Sequence, residues 1–243
     1  MITATCELSG ERMRPQRVPS APSLRKIYQK LFRVLGPQGW WPAKSSFEMM
    51  LGAILTQATN WHNVEQAIQR LAHTGALQPR EVLAIPARRL EQLVRPAGYF
   101  RQKAKRVKAF TQWYVDRYAG RARRMFRTPW RKLREELLAL HGIGPETADS
   151  MLLYAGQQPV FVIDAYTTRI FRRHRLIRGK ATYDTIQRWV MQELPADTQL
   201  YNEYHALLVA VGKQFCHRRH PDCNHCPLGK LPRTLEVNID GSG

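Results

Sequence analysis

Apolar residues recur at helical spacing along most of this chain, and prolines and glycines separate one periodic segment from the next. Leu24, Ile27 and Leu31 repeat at intervals of three and four residues, which places them on one face of a helix. The one strand-like run, Val160–Ile163, is short and has no second run to pair with. The pattern therefore predicts an all-α protein. The predicted helices cover residues 24–35, 47–55, 63–71, 80–84, 87–94, 101–119, 130–140, 146–155, 165–175, 182–193 and 200–215.

Composition limits the partners of such a protein. Lys and Arg number 38 against 19 Asp and Glu, which gives a formal net charge of +19 and a pI of about 10.4. This charge favours a polyanion, with nucleic acid first and a membrane surface as a weaker alternative, although a generally basic proteome would also raise the pI. No apolar run reaches the roughly 20 residues that span a bilayer, and the N-terminus lacks the apolar segment of a secretory signal. We therefore expect an intracellular, cytoplasmic protein without a membrane partner. We also expect it to be monomeric and associated with the nucleoid.

Prolines and arginines alternate over residues 1–24, which is typical of a flexible basic arm. Cys6 lies in this arm, whereas the other three cysteines, Cys216, Cys223 and Cys226, fall within eleven residues of each other. In an intracellular protein this clustering favours a metal or cluster site over disulfides.

The segment from Leu140 to Ala148 joins two predicted helices through a very short turn. Gly142 and Gly144 can adopt left-handed backbone conformations and allow another backbone to approach closely. Amide groups at the start of the second helix would then point outwards, where they suit a DNA phosphate without contacting a base. Ile143 would pack between the two helices. An ordinary corner between two helices would look the same, so the segment alone leaves both interpretations open.

Asp164 follows an apolar run and begins a predicted helix that carries Arg169 and Arg172. Its carboxylate could cap that helix. It could also stabilise an oxocarbenium-like sugar or activate water, as cleavage of an N-glycosidic bond requires. The local sequence leaves both roles open.

Four segments in this order resemble the helix–hairpin–helix DNA glycosylase superfamily, in its endonuclease III branch, over about residues 40–226. They are 51–59, the hairpin 140–148, 162–164 with Arg169, and the region of Cys216. The finer pattern is most similar to proteins that resemble 3-methyladenine DNA glycosylase III. Its matching pieces are Trp40-Trp41-Pro42, Thr56-Gln57 with Trp61, 95–100 and 144–149.

The resemblance implies a two-domain helix–hairpin–helix glycosylase fold with a C-terminal cysteine loop. A helical barrel of residues 39–158 would include the hairpin. The second domain would combine residues 25–38 with residues 159–243.

The resemblance also implies a function: a base-excision-repair DNA N-glycosylase that binds double-stranded DNA with a damaged base. Asp164 would be the catalytic carboxylate, and Gln57 would fill the gap that a flipped base leaves. The other residues expected to contact DNA are Gly142, Ile143, Gly144, Thr147, Arg169 and Arg172. The expected base pocket comprises Trp40, Trp41, Pro42, Trp61 and Lys213. Aromatic walls suit an N-alkylated purine such as 3-methyladenine, because a cationic base stacks strongly on electron-rich rings.

Glu146 departs from the family pattern. Bifunctional members carry a lysine two residues after the second hairpin glycine, and Glu146 stands there. A carboxylate cannot form the imine that strand cleavage requires, so we expect a monofunctional enzyme with water as the nucleophile. Two alternatives stay open. One is a bifunctional glycosylase and AP lyase acting on oxidised pyrimidines through another amine, and the other is a non-catalytic DNA-binding protein.

The three clustered cysteines are similar to the first three ligands of the family's [4Fe–4S] loop. Pro232, which cannot ligate, stands where the family has its fourth cysteine. A cluster with another fourth ligand, a zinc site and a loop without metal all remain open. The candidate fourth ligands are His217, His220, Asp222, His225, Cys6 and water.

Basic residues recur in three runs beside these motifs, and each run suits contact with a DNA backbone. The runs are Lys103, Lys105, Arg106 and Lys108; Arg121, Arg123, Arg124 and Arg127; and Arg169, Arg172, Arg173 and Arg175.

Overall fold

The structure of the chain is a computed structural model that describes residues 22–40 and 43–234. Over these ranges the secondary structure is helical and includes no β-strand, so the all-α prediction is confirmed. The α-helices in this part of the chain are α1 Leu24–Leu35, α2 Ser46–Leu55, α3 Trp61–His73, α4 Pro79–Ala84, α5 Ala87–Val94, α6 Phe100–Tyr118, α7 Ala122–Met125, α8 Trp130–Leu138, α9 Pro145–Ser150, α10 Ala165–Arg173, α11 Tyr183–Glu193 and α12 Thr198–Gln214.

The strongly periodic segments form helices close to their predicted bounds, and polar caps explain where several begin. The Ser45 side chain accepts a hydrogen bond from the backbone of Glu48 at 3.1 Å, and Asn60 caps α3 in the same way. The predicted helix 146–155 differs, because α9 ends at Ser150 and Met151–Ala155 continue it as a π-helical turn. Helix α7 and a 3₁₀ turn over Arg95–Ala97 were not predicted.

The strand-like run Val160–Ile163 is fully buried and extended, but it pairs with no other segment in the described ranges. It passes from one hydrophobic cluster into the next. The first cluster draws its buried residues from Phe47 to Val160. The second combines α1 with residues between Leu153 and Leu228, and Met49 of α2 packs with it. The boundaries of the two expected domains remain a prediction, and residues 1–21 of the expected arm lie outside the described residues.

Asp149 is a buried polar link between these clusters. Its carboxylate accepts a 2.7 Å hydrogen bond from Arg134 Nε of α8 and another of 2.7 Å from Gln187 Nε2 of α11. The Arg134 guanidinium also pairs with Asp184 at the surface. Because each carboxylate oxygen of Asp149 has a donor, its burial is compensated and the orientation of α9 between α8 and α11 is fixed.

Within the described residues, no helix combines the length and the apolar content that crossing a bilayer requires.

Candidate active site

A cavity of about 450 Å³ lies where several of these elements meet. Its wall is formed by the end of α2 with the loop that follows, the start of α3, α9, the π-helical turn, the start of α10 and one face of α12. The side chains of interest here are those that titrate or carry an aromatic ring. They are Trp40, Trp61, Glu146, Tyr154, Asp164, Tyr166, His205 and Lys213.

Asp164 is the N-cap residue of α10, and its two carboxylate oxygens have different neighbours. Oδ1 accepts a 2.6 Å hydrogen bond from the backbone N–H of Thr167, which is a helix cap. Oδ2 lies 3.6 Å from Nε2 of His205. Burial alone would raise the pKa of Asp164, but His205 and Thr167 outweigh it, so the pKa lies below its ordinary value. The carboxylate therefore stays charged at neutral pH, and capping leaves Oδ2 available.

His205 is buried on α12 and connects Asp164 to Tyr154. Its Nδ1 is hydrogen-bonded to the hydroxyl of Tyr154, while its Nε2 has no hydrogen-bond partner among the described residues. Burial, and then the charge of Asp164, raise the pKa of Tyr154 well above 10, so the phenol keeps its proton. The π-helical turn that carries Tyr154 is a local distortion of the kind often found at functional sites.

Glu146 lies on the first turn of α9 and lines the same cavity. The Glu146 side chain is exposed to the cleft, but the surrounding protein excludes much of the bulk water from its carboxyl group. This desolvation, followed by the negative charge of Asp164, raises the pKa of Glu146 from 4.5 to about 7. The two carboxyl groups of the cavity thus differ in protonation near neutral pH.

Two tryptophans of the predicted base pocket meet in this cavity. The ring centroids of Trp40 and Trp61 are 6.3 Å apart and the planes are inclined by 49°, so one ring must turn before a flat base can lie against both. Trp61 Nε1 donates a 2.7 Å hydrogen bond to Glu65. Lys213 Nζ lies 5.6 Å from the centroid of the Trp40 ring. Trp41 and Pro42, also predicted for the pocket, lie outside the described residues.

Gln57 follows α2 and is held against the hairpin. Its Nε2 donates to the carbonyl of Gly142 and to Oγ1 of Thr147, each at 2.9 Å, and its Oε1 accepts a hydrogen bond from Arg106. Gln57, the side chain expected to enter DNA, therefore forms these hydrogen bonds with other residues of the protein in the resting structure.

The two hairpin glycines have different surroundings. Gly142 has a φ of +83°, and a Cβ there would lie 2.3 Å from Nε of Arg106. Gly144 precedes α9 in an extended conformation, and a Cβ there would meet nothing within 4 Å. Ile143 is buried between the two helices, as the sequence predicted. Thr147 is also buried, so its side chain faces Gln57 rather than solvent.

Arg169 differs from its expected position on the DNA side. It is buried, and its guanidinium donates to the carbonyls of Cys216 and Gly212 at 2.7 and 3.3 Å. Arg173 is buried as well and donates to the Sγ of Cys216 and to the carbonyl of His217. Both arginines support the cysteine region. Arg172 is half-buried, whereas Arg175 is exposed.

The run from Lys103 to Lys108 is less exposed than its expected contact with DNA requires: Lys105 is exposed, Arg106 and Lys108 are half-buried, and Lys103 is buried. Lys103 is buried, and its Nζ donates to the carbonyls of Leu55 and Ala97 at 2.9 and 2.6 Å. Desolvation, followed by the positive charge of Arg106, lowers the pKa of Lys103 to about 8. Lys108 donates to two backbone carbonyls of the segment around α4. The run Arg121, Arg123, Arg124 and Arg127 is exposed.

The three cysteines form a compact region after α12. Burial raises the pKa of the Cys226 thiol, and the nearby Cys216 and Cys223 add to this rise. Only glycine fits at position 229, because a Cβ there would lie 1.9 Å from the carbonyl oxygen of Cys223. No three metal-ligating side chains of the described residues surround a common point. The thiols are near neighbours, but they do not form a complete ligand set.

The sequence indicated no role for Tyr154 or His205, and it placed Arg106 in a basic run rather than beside Gln57. A signal for one of them was present: His205, Val209 and Lys213 recur every four residues and therefore share a face of α12. All three line the cavity.

The sequence profile of the HhH-GPD superfamily base excision DNA repair proteins matches residues 51–196. The chain belongs to this superfamily, and it is a DNA glycosylase of base excision repair. The family predicted from the four sequence segments is confirmed.

Individual relatives agree with this assignment. The chain is 45% identical over 205 residues to a Methanocaldococcus jannaschii protein named as a DNA repair glycosylase, covering 84% of this chain and 92% of the relative. It resembles an H. pylori 3-methyladenine DNA glycosylase, MagIII, bound to 1,N6-ethenoadenine, with a TM-score of 0.67, 26% identity and coverage of 78% and 95%. Its fold is similar to that of endonuclease III in a non-covalent DNA complex, with a TM-score of 0.74, 23% identity and coverage of 86% and 93%.

Proposed function

We propose that this chain is a monofunctional DNA N-glycosylase that hydrolyses the glycosidic bond of a flipped base with water as the nucleophile. The observation that carries the proposal is the position of Asp164. Its carboxylate is charged, is fixed at the start of α10, and faces a cavity that is also lined by two tryptophans.

The chemistry follows from that charge. As the base departs, positive charge develops on the sugar, and a fixed carboxylate in a partly desolvated site stabilises it more than bulk water would. Oδ2, which is not needed for the cap, is the oxygen that can contact the sugar or accept a proton from water. Glu146 supplies no amine, so this position cannot form an imine with the sugar.

We propose an N-alkylated purine, such as 3-methyladenine, as the preferred base. Trp40 and Trp61 offer electron-rich faces to a cationic ring. The similarity to a 3-methyladenine glycosylase supports the same substrate class. Methylated DNA should therefore release 3-methyladenine, whereas a duplex with uracil should release far less base. Absence of alkylpurine release would remove this part of the proposal.

The role of Asp164 is tested by Asp164→Asn. We expect single-turnover base release to fall by about 10²- to 10⁴-fold, because the amide keeps the shape but loses the charge. Binding to the same duplex should change little. Asp116→Asn, on the exposed side of α6, is the matched control and should keep the wild-type rate. Turnover by Asp164→Asn at the wild-type rate would refute the role.

A lyase activity is the second candidate, because one amine does line the cavity: Lys213. Borohydride reduction in the presence of DNA with an abasic site distinguishes the two. We expect no covalent adduct. A strong adduct that disappears in Lys213→Gln would establish the bifunctional alternative.

We further propose that Cys216, Cys223 and Cys226 bind an iron–sulfur cluster with a structural role. The proximity of the three thiols and the buried Arg173 beside Cys216 support this. The purified protein should absorb near about 400 nm and contain iron. A colourless preparation that contains zinc would replace the cluster with a zinc site.

A further inference from the structure

We infer that His205, held by Tyr154, is a positioning residue for Asp164 that orients Oδ2. The inference rests on the proposed function, in which Asp164 is the catalytic carboxylate.

The geometry around Asp164 leaves one oxygen without a direct donor. Oδ1 is fixed by the backbone of Thr167 at 2.6 Å. Oδ2 faces His205 Nε2 across 3.6 Å, which is longer than a hydrogen bond. Both residues line the cavity, and Nε2 itself is buried without a hydrogen-bond partner among the described residues. Nε2 is therefore the side-chain nitrogen that faces Oδ2.

Tyr154 determines which imidazole nitrogen carries the proton. The phenol keeps its proton at neutral pH because it is buried beside Asp164. The indole N–H of Trp40, which can only donate, acts on the same phenol oxygen. The hydroxyl proton of Tyr154 is therefore the one directed to Nδ1 of His205, and Nδ1 is the acceptor. In the neutral imidazole the remaining proton then resides on Nε2, facing Asp164.

Several elements contribute charged or titratable groups around this pair. Tyr154 comes from the π-helical turn, Glu146 from α9, Asp164 and Tyr166 from the start of α10, and Lys213 from α12 itself. The Nε2–H of His205 faces Oδ2 and favours the charged form of Asp164, and His205 together with Thr167 holds the pKa of Asp164 low against the effect of burial. Removing the imidazole should therefore make the carboxylate easier to protonate.

The experiment compares His205→Leu with His205→Gln, because glutamine keeps a side-chain donor and leucine has none. Single-turnover release of 3-methyladenine from methylated DNA is measured over a range of pH. We expect His205→Leu to be slower by about ten- to a hundredfold, with the acidic limb of the profile moved to higher pH. His205→Gln should recover most of the rate. Tyr154→Phe, which frees Nδ1 from its donor, should shift the profile in the same direction by a smaller amount.

A double variant distinguishes positioning from an independent effect. If His205 acts through Asp164, Asp164→Asn and Asp164→Asn/His205→Leu should have equal residual rates, and an additive loss would overturn the inference. Wild-type turnover by Asp164→Asn would refute the proposed function itself. This inference alone would be refuted if Asp164→Asn is inactive while His205→Leu keeps both the wild-type rate and the wild-type acidic limb. If His205→Leu does not fold, Tyr154→Phe gives the same comparison, and an unchanged acidic limb there counts against the inference.

Discussion

Glu146 and Asp164 line one cavity, yet their surroundings move their pKa values in opposite directions. Desolvation and the neighbouring charge raise the pKa of Glu146 to about 7, while His205 and Thr167 keep that of Asp164 low. Two carboxyl groups with separated pKa values are typical of sites in which one group is neutral and the other is charged. The mechanism assigns the charged role to Asp164. A neutral Glu146 adds no second negative charge beside it.

This arrangement predicts how stability depends on pH. The pKa of Glu146 is higher in the folded protein than its ordinary value of 4.5, so binding of a proton to Glu146 stabilises the fold. This stabilisation is fully present below about pH 4.5 and is lost as the pH rises through about 7. Glu146→Gln stays neutral at every pH. We therefore expect its melting temperature to match the wild type at about pH 4.5 and to exceed it at about pH 8.

The matched control is Glu135→Gln on the exposed side of α8. Thermal unfolding of all three proteins should show a pH-dependent difference for Glu146→Gln that Glu135→Gln lacks. If the melting temperatures of the two variants change with pH in the same way, Glu146 does not hold a proton in the folded state near neutral pH.

At the scale of an element, the hairpin between α8 and α9 depends on two glycines for different reasons. Gly142 needs a left-handed backbone and also leaves room for Arg106, whereas Gly144 is extended and open to solvent. We expect Gly142→Ala to destabilise the protein by about 1–3 kcal/mol, because both effects add. Gly144→Ala should change the free energy of unfolding little. Urea unfolding measures both, and equal effects would contradict the distinction.

The same pair of variants separates folding from DNA contact. If the amide groups beside Gly144 approach phosphate, Gly144→Ala should weaken binding to an undamaged duplex although its stability is unchanged. Fluorescence anisotropy with a labelled duplex provides the measurement. A variant with both wild-type stability and wild-type affinity would remove Gly144 from the contact surface.

Helical elements were predictable because intervals of three and four between apolar residues follow directly from helix geometry. The site was predictable in part, since Asp164 and Gln57 lie in segments with a recognisable family pattern. Tyr154 was not, because a change from α- to π-helical hydrogen bonding leaves the apolar spacing intact. Lys103 was wrongly placed on the surface. Its ammonium group donates to the carbonyls of Leu55, at the end of α2, and Ala97, at the end of the 3₁₀ turn. These two ends come together only in the folded chain, so the sequence does not show the contact.

Part of the protein's excess positive charge lies in its interior. Arg169, Arg173 and Lys103 satisfy backbone carbonyls in the interior, while the run from Arg121 to Arg127 stays exposed. The exposed charge is what DNA phosphates can contact. Net charge alone therefore overstates the number of such contacts.

Salt dependence measures that number. Each phosphate neutralised contributes about 0.9 to the slope of log affinity against log salt, so we expect binding of an undamaged duplex to weaken steeply between about 50 and 200 mM salt. Arg123→Gln, on the exposed run, should reduce the slope by about one if it contacts phosphate. A flat salt response would contradict binding through these arginines.

Gln57 at rest forms hydrogen bonds to Gly142, to Thr147 and with Arg106, and all three partners belong to or touch the hairpin. If Gln57 inserts into DNA, as its family resemblance implies, these hydrogen bonds must break first. Gly142 and Thr147 belong to the hairpin, so contact between the hairpin and the DNA backbone would compete for the same groups. The resting structure therefore links insertion of Gln57 to contact at the hairpin.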